Sequence, residues 1–218
     1  MLLSLGMGPS ACGTDGMIER DEPLSARDID WIATLHLASI DDSLPSLLGA
    51  AYLRRFYRFV AASEVETLFF ERIDGDVASV CLVSMEPESL HGRIVKGTSP
   101  SLFWYALLAL CRSPDSRRFL RQFVTDRLRG AEEAPGGPEI TYIFTDPKRR
   151  GQRLGARLLA RVEAHLRERN VSVYHVKTVD EPDNRALAFY DQSGFRRAGR
   201  LVEAGRTFVL FQKALAES

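Results

Sequence analysis

Residues 141–156, TYIFTDPKRRGQRLGA, constrain the fold of this chain more than any other stretch. Tyr142, Ile143 and Phe144 are strand formers. Pro147 has no backbone N–H to give to a ladder, so a strand ends before it. From Leu154 onward, Leu154, Leu158, Val162 and Leu166, with Leu159 alongside, step at helical spacing. Arg149, Arg150, Gly151 and Gln152 therefore stand where a strand hands over to a helix. The first turn of a helix presents unpaired N–H groups and the positive end of its dipole, so it can hold an anion. Two arginines and a glycine at that point favour phosphate; the alternative is an ordinary strand-to-helix turn with solvated arginines.

The N-terminal half reads as a short strand over 17–20, then two helices and a hairpin. Ser25 followed by Asp28 resembles a capping box, and Ile29, Ile32, Leu35, His36 and Ile40 continue at helical spacing, which predicts a helix over 26–39. His36 reads as a packed helix residue rather than a ligand, because no second ligand stands at helical spacing. Ser43-Leu-Pro-Ser46 is a break and a fresh cap. A second helix is predicted over 47–62, with Leu48, Tyr52, Phe56 and Phe59 on one side as core or as a substrate wall. Strands over 65–73 and 77–85 flank Asp74-Gly75, a hairpin turn, since glycine takes positive φ easily.

Residues 87–138 are the least legible. Ser99-Pro100-Ser101 can start a helix, and 102–111 is an apolar run that makes only about 15 Å of helix, too short to span a bilayer. It reads as a buried helix, with a lid over the active site, a dimer face or a membrane-surface contact as alternatives. Residues 115–130 read as a polar helix. Its Arg117, Arg118, Arg121, Arg127 and Arg129 are interrupted by Asp115 and Asp126, which makes a solvated face or a contact for an anionic substrate or cofactor. Residues 131–138 are a loop, so 87–138 as a whole is a helical insertion or lid.

After 141–156 the helix runs to about residue 169, with Asn170 suited to a left-handed end, and a strand follows over 171–178. Strand, crossover helix and strand imply a parallel pair. Glu181-Pro-Asp183-Asn184 caps a further helix over 185–192, ended by Ser193-Gly194. Strands over 196–202 and 207–212 close a hairpin around Ala204-Gly205. The sum is an α/β (α+β) fold: a mixed, mostly antiparallel central sheet of about six or seven strands flanked by helices.

A length of 218 residues suits one domain, here 17–218, with 1–16 as a loose tail and Met7 or Met17 as alternative starts. Lys+Arg and Asp+Glu are both 29, and this balance argues against a general nucleic-acid binder. Cys12, Cys81 and Cys111 lie far apart with no histidine at ligand spacing, so neither structural zinc nor a disulfide framework is expected and no metal is assigned. A reducing cytoplasm fits this cysteine usage. The apolar opening lacks a basic region and is too short for a signal peptide, and no 18-residue apolar run makes a membrane span.

Two separated pieces then stand together. One is Arg150-Gly151-Gln152-Arg153-Leu154-Gly155-Ala156. The other is the segment with Asn184, Ala186, Phe189, Tyr190, Gly194 and Phe195. Their order, and the helix and strand between them, resemble the GNAT family of N-acetyltransferases. The first piece looks like the family's acetyl-CoA pyrophosphate loop, Arg/Gln-x-x-Gly-x-Gly/Ala, and the second like its Asn, Ala, Phe-Tyr and Gly-Phe segment. The match covers about residues 139–195, and the helices and hairpin before it fit the family's order loosely. One position departs: the family's middle glycine is Arg153 here. If the position lies in the first turn of the helix, arginine costs little and its N–H still faces phosphate; that is the expected case, the alternative being a strained positive φ.

The resemblance implies the acyl-CoA N-acyltransferase fold, with the central strand and the strand after the crossover splayed around the pantetheine arm of acetyl-CoA, the co-substrate. It implies main-chain contacts to that arm from Ile143, Phe144 and Thr145, and backbone N–H groups of Arg150, Gly151, Gln152, Arg153, Leu154, Gly155 and Ala156 around the pyrophosphate. It also implies that Asn184 contacts the cofactor near the pantetheine or the bound thioester, and that Tyr190 lies near the thioester sulfur. The family often dimerises, so a homodimer is carried as an expectation.

The chemistry follows from the reactants. An amine attacks a thioester only when neutral, the tetrahedral intermediate carries an oxyanion, and the leaving thiolate needs a proton. A backbone N–H near Phe144 or Thr145 suits the oxyanion, and Tyr190 suits the acid, its alternative being a core aromatic beside Phe189. Candidates for the base are Glu139, Glu71, Glu86 and His175, or a water relay. The expected function is transfer of acetyl from acetyl-CoA to a primary amine of a small molecule, with an amino sugar, including a nucleotide-linked one, as the first guess. Alternatives are a protein or peptide N-acetyltransferase and a non-catalytic acyl-CoA-binding module.

Overall fold

A computed structural model describes residues 24–40, 43–97, 114, 117, 118, 121, 122, 125 and 136–216. The strand expected over 17–20, the tail over 1–16 and the helix over 102–111 lie outside the described residues. The polar helix expected over 115–130 is described only at residues 117, 118, 121, 122 and 125, all helical.

Helix α1 spans Ala26–Ser39 and opens on the expected capping box, with Asp28 N–H donating to Ser25 Oγ at 3.1 Å and Ser25 N–H to Asp28 Oδ2 at 2.9 Å. The second helix is two elements rather than one. A single turn, α2 (Leu44–Leu47), is capped by Ser43, and α3 (Ala50–Ala62) begins only after Gly49, at φ 88°. That left-handed glycine breaks the run, because the chain must turn before Tyr52, Leu53, Phe56 and Tyr57 can face the core. Strands β1 (Glu66–Ile73) and β2 (Asp76–Ser84) form the hairpin around Asp74 and Gly75, both at positive φ. Helix α4 (Pro87–Gly97) follows, then β3 (Glu139–Thr145), α5 (Leu154–Glu168), β4 (Val173–Val179), α6 (Arg185–Gln192), β5 (Arg196–Glu203) and β6 (Arg206–Ala214). Strand β4 starts two residues later than expected, since Val171 N–H is still engaged by Leu166 O at the end of α5.

Among the described residues the sheet has six strands in the order β1-β2-β3-β4-β6-β5, antiparallel except for β3 and β4. One core lies between the sheet and α1, α3 and α4, around Ile32, Leu53, Phe56 and Phe144. The other lies under α5 and α6, around Leu158, Val162, Tyr190 and Phe211. The alternation of strand side chains feeds both layers.

Candidate active site

Strands β3 and β4 are paired only at their first residues, Glu139 with His175 and Ile140 with Val176. Beyond that point they diverge, as the family resemblance implies, and the gap opens into a cleft of about 1670 Å³. A bulge begins the divergence. The β2–β3 register passes from Leu82 opposite Tyr142 to Val83 opposite Ile140, which leaves Thr141 without a partner residue. Thr141 lines the cleft, and its Oγ1 is buried without a hydrogen bond.

Main-chain groups on β3 divide by parity. Phe144 O accepts from Ser79 Oγ at 2.9 Å, and Asp146 N–H donates to Ala78 O at 2.8 Å, so these groups face β2. Alternation leaves the N–H and C=O of Ile143 and Thr145 toward the gap. Of the two positions expected for the oxyanion donor, near Phe144 or near Thr145, the Phe144 N–H faces β2, whereas the N–H groups of Thr145 and Ile143 face the gap.

The connection from β3 to α5 starts as a 3-10 turn, Pro147–Arg149, with Asp146 accepting from Lys148 N–H at 2.9 Å. Gly151 follows at φ 83°. Arg153 is the N-cap of α5, at φ 56° and ψ 20°, with no side-chain cap bond. The expectation that Arg153 sits in the first helical turn is therefore wrong. The helix begins one residue later, and Arg153 holds the left-handed conformation that suits glycine and strains an L-residue by roughly 1–2 kcal/mol. The chain needs this reversal to aim the N–H groups of the helix start into the gap. Gly155 meets a packing limit instead: a Cβ there would lie 3.4 Å from Phe189 Cζ, so its absence lets α5 approach α6. Arg149 is held by Asp74 at 2.6 Å on the β1–β2 turn, whereas Arg150 and Arg153 make no ion pair among the described residues.

Ile143, Phe144, Thr145, Arg150, Gly151, Arg153, Leu154, Gly155, Ala156, Asn184 and Tyr190 all line the cleft. Gln152 is exposed and does not. Asn184 caps α6: its Oδ1 accepts from Ala186 N–H at 3.0 Å, and its Nδ2 donates to Thr178 Oγ1 at 2.8 Å and Val179 O at 2.6 Å. Both amide protons are thus engaged in tying α6 to the open edge of β4. Tyr190 is both core and site. Its ring packs against Phe189 and Phe195 at 5.3 Å and Phe211 at 5.4 Å, and only 3% of the residue is exposed. Burial first, with Cys81 and Glu139 adding to it, pushes its hydroxyl well above the ordinary phenol value, so it keeps its proton.

The four carboxylate and imidazole candidates separate cleanly. Glu71 pairs with Arg157 at 2.5 Å and Arg161 at 3.4 Å on the α5 side, away from the cleft. Glu86 is exposed and pairs with Arg93 at 2.9 Å. Glu139 lines the cleft at the root of the splay. His175 Nε2 lies 3.2 Å from Glu139 Oε2, both side chains being buried. The contact is one of proximity, since Nε2 lacks hydrogen-bond alignment.

The far end of the cleft comes from residues that sequence reasoning did not connect. Ser39, Ile40, Ser43 and Leu44 form one wall, the start of α4 with Glu88 and Leu90 another, and the β5–β6 hairpin a third. Lys177 and Glu203, paired at 2.7 Å, also line it. No short-range signal marks these residues. Among the described residues no cluster of histidine, cysteine and carboxylate side chains is arranged to hold a metal, and no helix is long and apolar enough to cross a membrane.

A splayed parallel pair, a helix start aimed into the gap and a protonated phenol on its wall define an acyl-CoA-dependent transferase. The profile of the Acetyltransferase (GNAT) family matches residues 37–195, and the chain belongs to that family of acetyl-CoA-using enzymes. Solved structures agree on the fold. A GNAT-family protein from Desulfovibrio desulfuricans superposes with a TM-score of 0.57 at 15% identity, over 89% of this chain and 96% of its own. The ribosomal-protein-S18-alanine N-acetyltransferase of Escherichia coli gives 0.53 at 12% identity, over 90% and 94%. The Drosophila melanogaster polyamine N-acetyltransferase gives 0.51 at 12% identity, over 88% and 97%. By their names the latter two act on a ribosomal protein and on polyamines, so the family and fold leave the acceptor type open. No curated protein matches the chain by sequence.

Proposed function

We propose that this enzyme acetylates a primary amine of a small molecule, with an amino sugar as the first candidate. The observation that carries this reading is that residues of the α1–α2 turn, the start of α4 and the β5–β6 hairpin line the cleft together with the β3–β4 gap. A polypeptide acceptor needs an open groove. The hydroxyls of Ser39 and Thr141, each buried without a hydrogen bond, support an acceptor that carries polar groups around its amine.

Glu139 takes the proton from the incoming ammonium, directly or through one water, with His175 beside it at 3.2 Å. The main-chain N–H of Ile143 or Thr145 holds the oxyanion. Tyr190, which burial keeps protonated on the cleft wall, gives its proton to the departing thiolate. Arg150 and Arg153 hold the phosphates, together with backbone N–H groups of the helix start.

The test measures thiol release from acetyl-CoA with glucosamine, spermidine and an alanine-initiated peptide. Glucosamine is expected to be the best of the three. A clear preference for the peptide overturns the small-molecule reading, and binding of acetyl-CoA without turnover on any amine would make the chain a non-catalytic module. Glu139→Gln should lower kcat by about 10²–10⁴-fold while leaving acetyl-CoA affinity within twofold. Tyr190→Phe should slow turnover at every pH while leaving acetyl-CoA affinity within about twofold; turnover unchanged across pH rules out Tyr190 as the acid.

A further inference from the structure

His36 is completely buried under the acceptor end, and its hydrogen bonds run in one direction only. The direction follows from the far end of the chain of contacts. Ser46 Oγ donates to Ile40 O, because a carbonyl only accepts. Ser46 Oγ then has no proton left for Ser43, so the 2.9 Å contact between the two hydroxyls is donated by Ser43. Ser43 Oγ in turn must accept from His36 Nε2–H at 3.0 Å. Burial lowers the His36 value to about 4, so the ring is neutral and Nδ1 is an acceptor, which Tyr57 O–H fills at 2.6 Å.

The same ring touches the central strand. Its centroid lies 4.8 Å from Tyr142 and 5.2 Å from Phe144. His36 therefore joins α3, β3 and the turn that carries Ile40, Ser43 and Leu44 into the cleft. We infer that His36 is a positioning residue for the acceptor wall: its Nε2–H fixes the α1–α2 turn against β3 and so sets acceptor recognition, without acting on the cofactor side. This rests on the acetyl-transfer reading of the cleft.

The tautomer is read directly from the ¹⁵N shifts of the His36 ring in the full chain at pH 7, with the proton expected on Nε2. Two substitutions then separate hydrogen bonding from packing. His36→Gln places a donor near the Nε2 position, whereas His36→Leu fills similar volume with none. With whichever of glucosamine, spermidine and the alanine-initiated peptide the wild type uses best, His36→Leu and Ser43→Ala should raise acceptor KM about tenfold, and His36→Gln should stay near wild type. The Kd for acetyl-CoA should change less than twofold in all three. In Ser43→Ala, amide exchange over 46–49 should quicken about tenfold while that of α5 is unchanged.

A proton on Nδ1, equal behaviour of the Leu and Gln variants, or a parallel loss of acetyl-CoA affinity overturns the inference. If the wild type uses none of the three amines, the proposed function fails, and the ring shifts and amide exchange still decide the role of His36.

Discussion

The proposed cofactor wall and the proposed acceptor wall line one cleft but are held in place by opposite means. The cofactor wall is a continuous piece of chain, and what aims it is backbone: Gly151 and Arg153 at positive φ, the start of α5 and the open main-chain groups of Ile143 and Thr145. The acceptor wall is assembled from segments far apart in sequence and is held by side chains, in the series Tyr57, His36, Ser43 and Ser46. A backbone device depends on conformation more than on side-chain chemistry, and Arg153 holds the required reversal at the cost of left-handed strain. A side-chain device depends on the donor and acceptor at each link.

Acid should strike the second wall first, and with the largest effect. In the unfolded chain a histidine gains its proton near pH 6.5, whereas folded His36 resists it until about pH 4. Stability is therefore complete above pH 6.5 and falls as pH drops through that window, by about 3 kcal/mol in total. Thermal melts from pH 7 to pH 4, compared with His36→Gln, measure this. A variant with the same slope as wild type would remove His36 as the cause.

A backbone wall should in contrast fail through sterics. Gly155→Val drives methyl groups into the Phe189 ring, where even a Cβ reaches 3.4 Å. The expected loss is about 1–3 kcal/mol of stability, with weakened acetyl-CoA binding and an unchanged His36 ring spectrum. Simultaneous perturbation of that spectrum would break the independence of the two walls.

The smallest expected effect sharpens the account of the cofactor side. Arg153→Gly relieves the left-handed strain and should raise stability by about 0.5–1 kcal/mol. Acetyl-CoA affinity should fall nonetheless, with a shallower salt dependence, if the side chain meets a phosphate. A rise in both stability and affinity would reduce Arg153 to a tolerated replacement.

Much of this was legible from residue order. The Ser25–Asp28 capping box, the Asp74-Gly75 turn, helix 185–192 and the strand–turn–helix over 141–156 each rest on neighbours within a few residues, where capping, φ preference and helical spacing act. The two-piece resemblance placed the cofactor loop on the same ground. The backbone of Arg153 was misjudged because its φ answers to where α5 must point, which the residue itself does not encode. The break at Gly49 was missed for the same reason.

By itself, then, the sequence determined the element types, the parallel crossover and the family, because each is written in short runs of neighbouring residues. Only the tertiary structure decided that Glu139, and not Glu71 or Glu86, stands in the cleft, and that Ile143 and Thr145 rather than Phe144 turn their main chain toward it. It also packed His36 between β3 and the turn that carries Ile40, Ser43 and Leu44 into the cleft. Those outcomes depend on strand register, on the bulge at Thr141 and on contacts between α1, α3 and β3. Register and packing are properties of the whole sheet, settled by which residues meet across it, and no local window of sequence contains them.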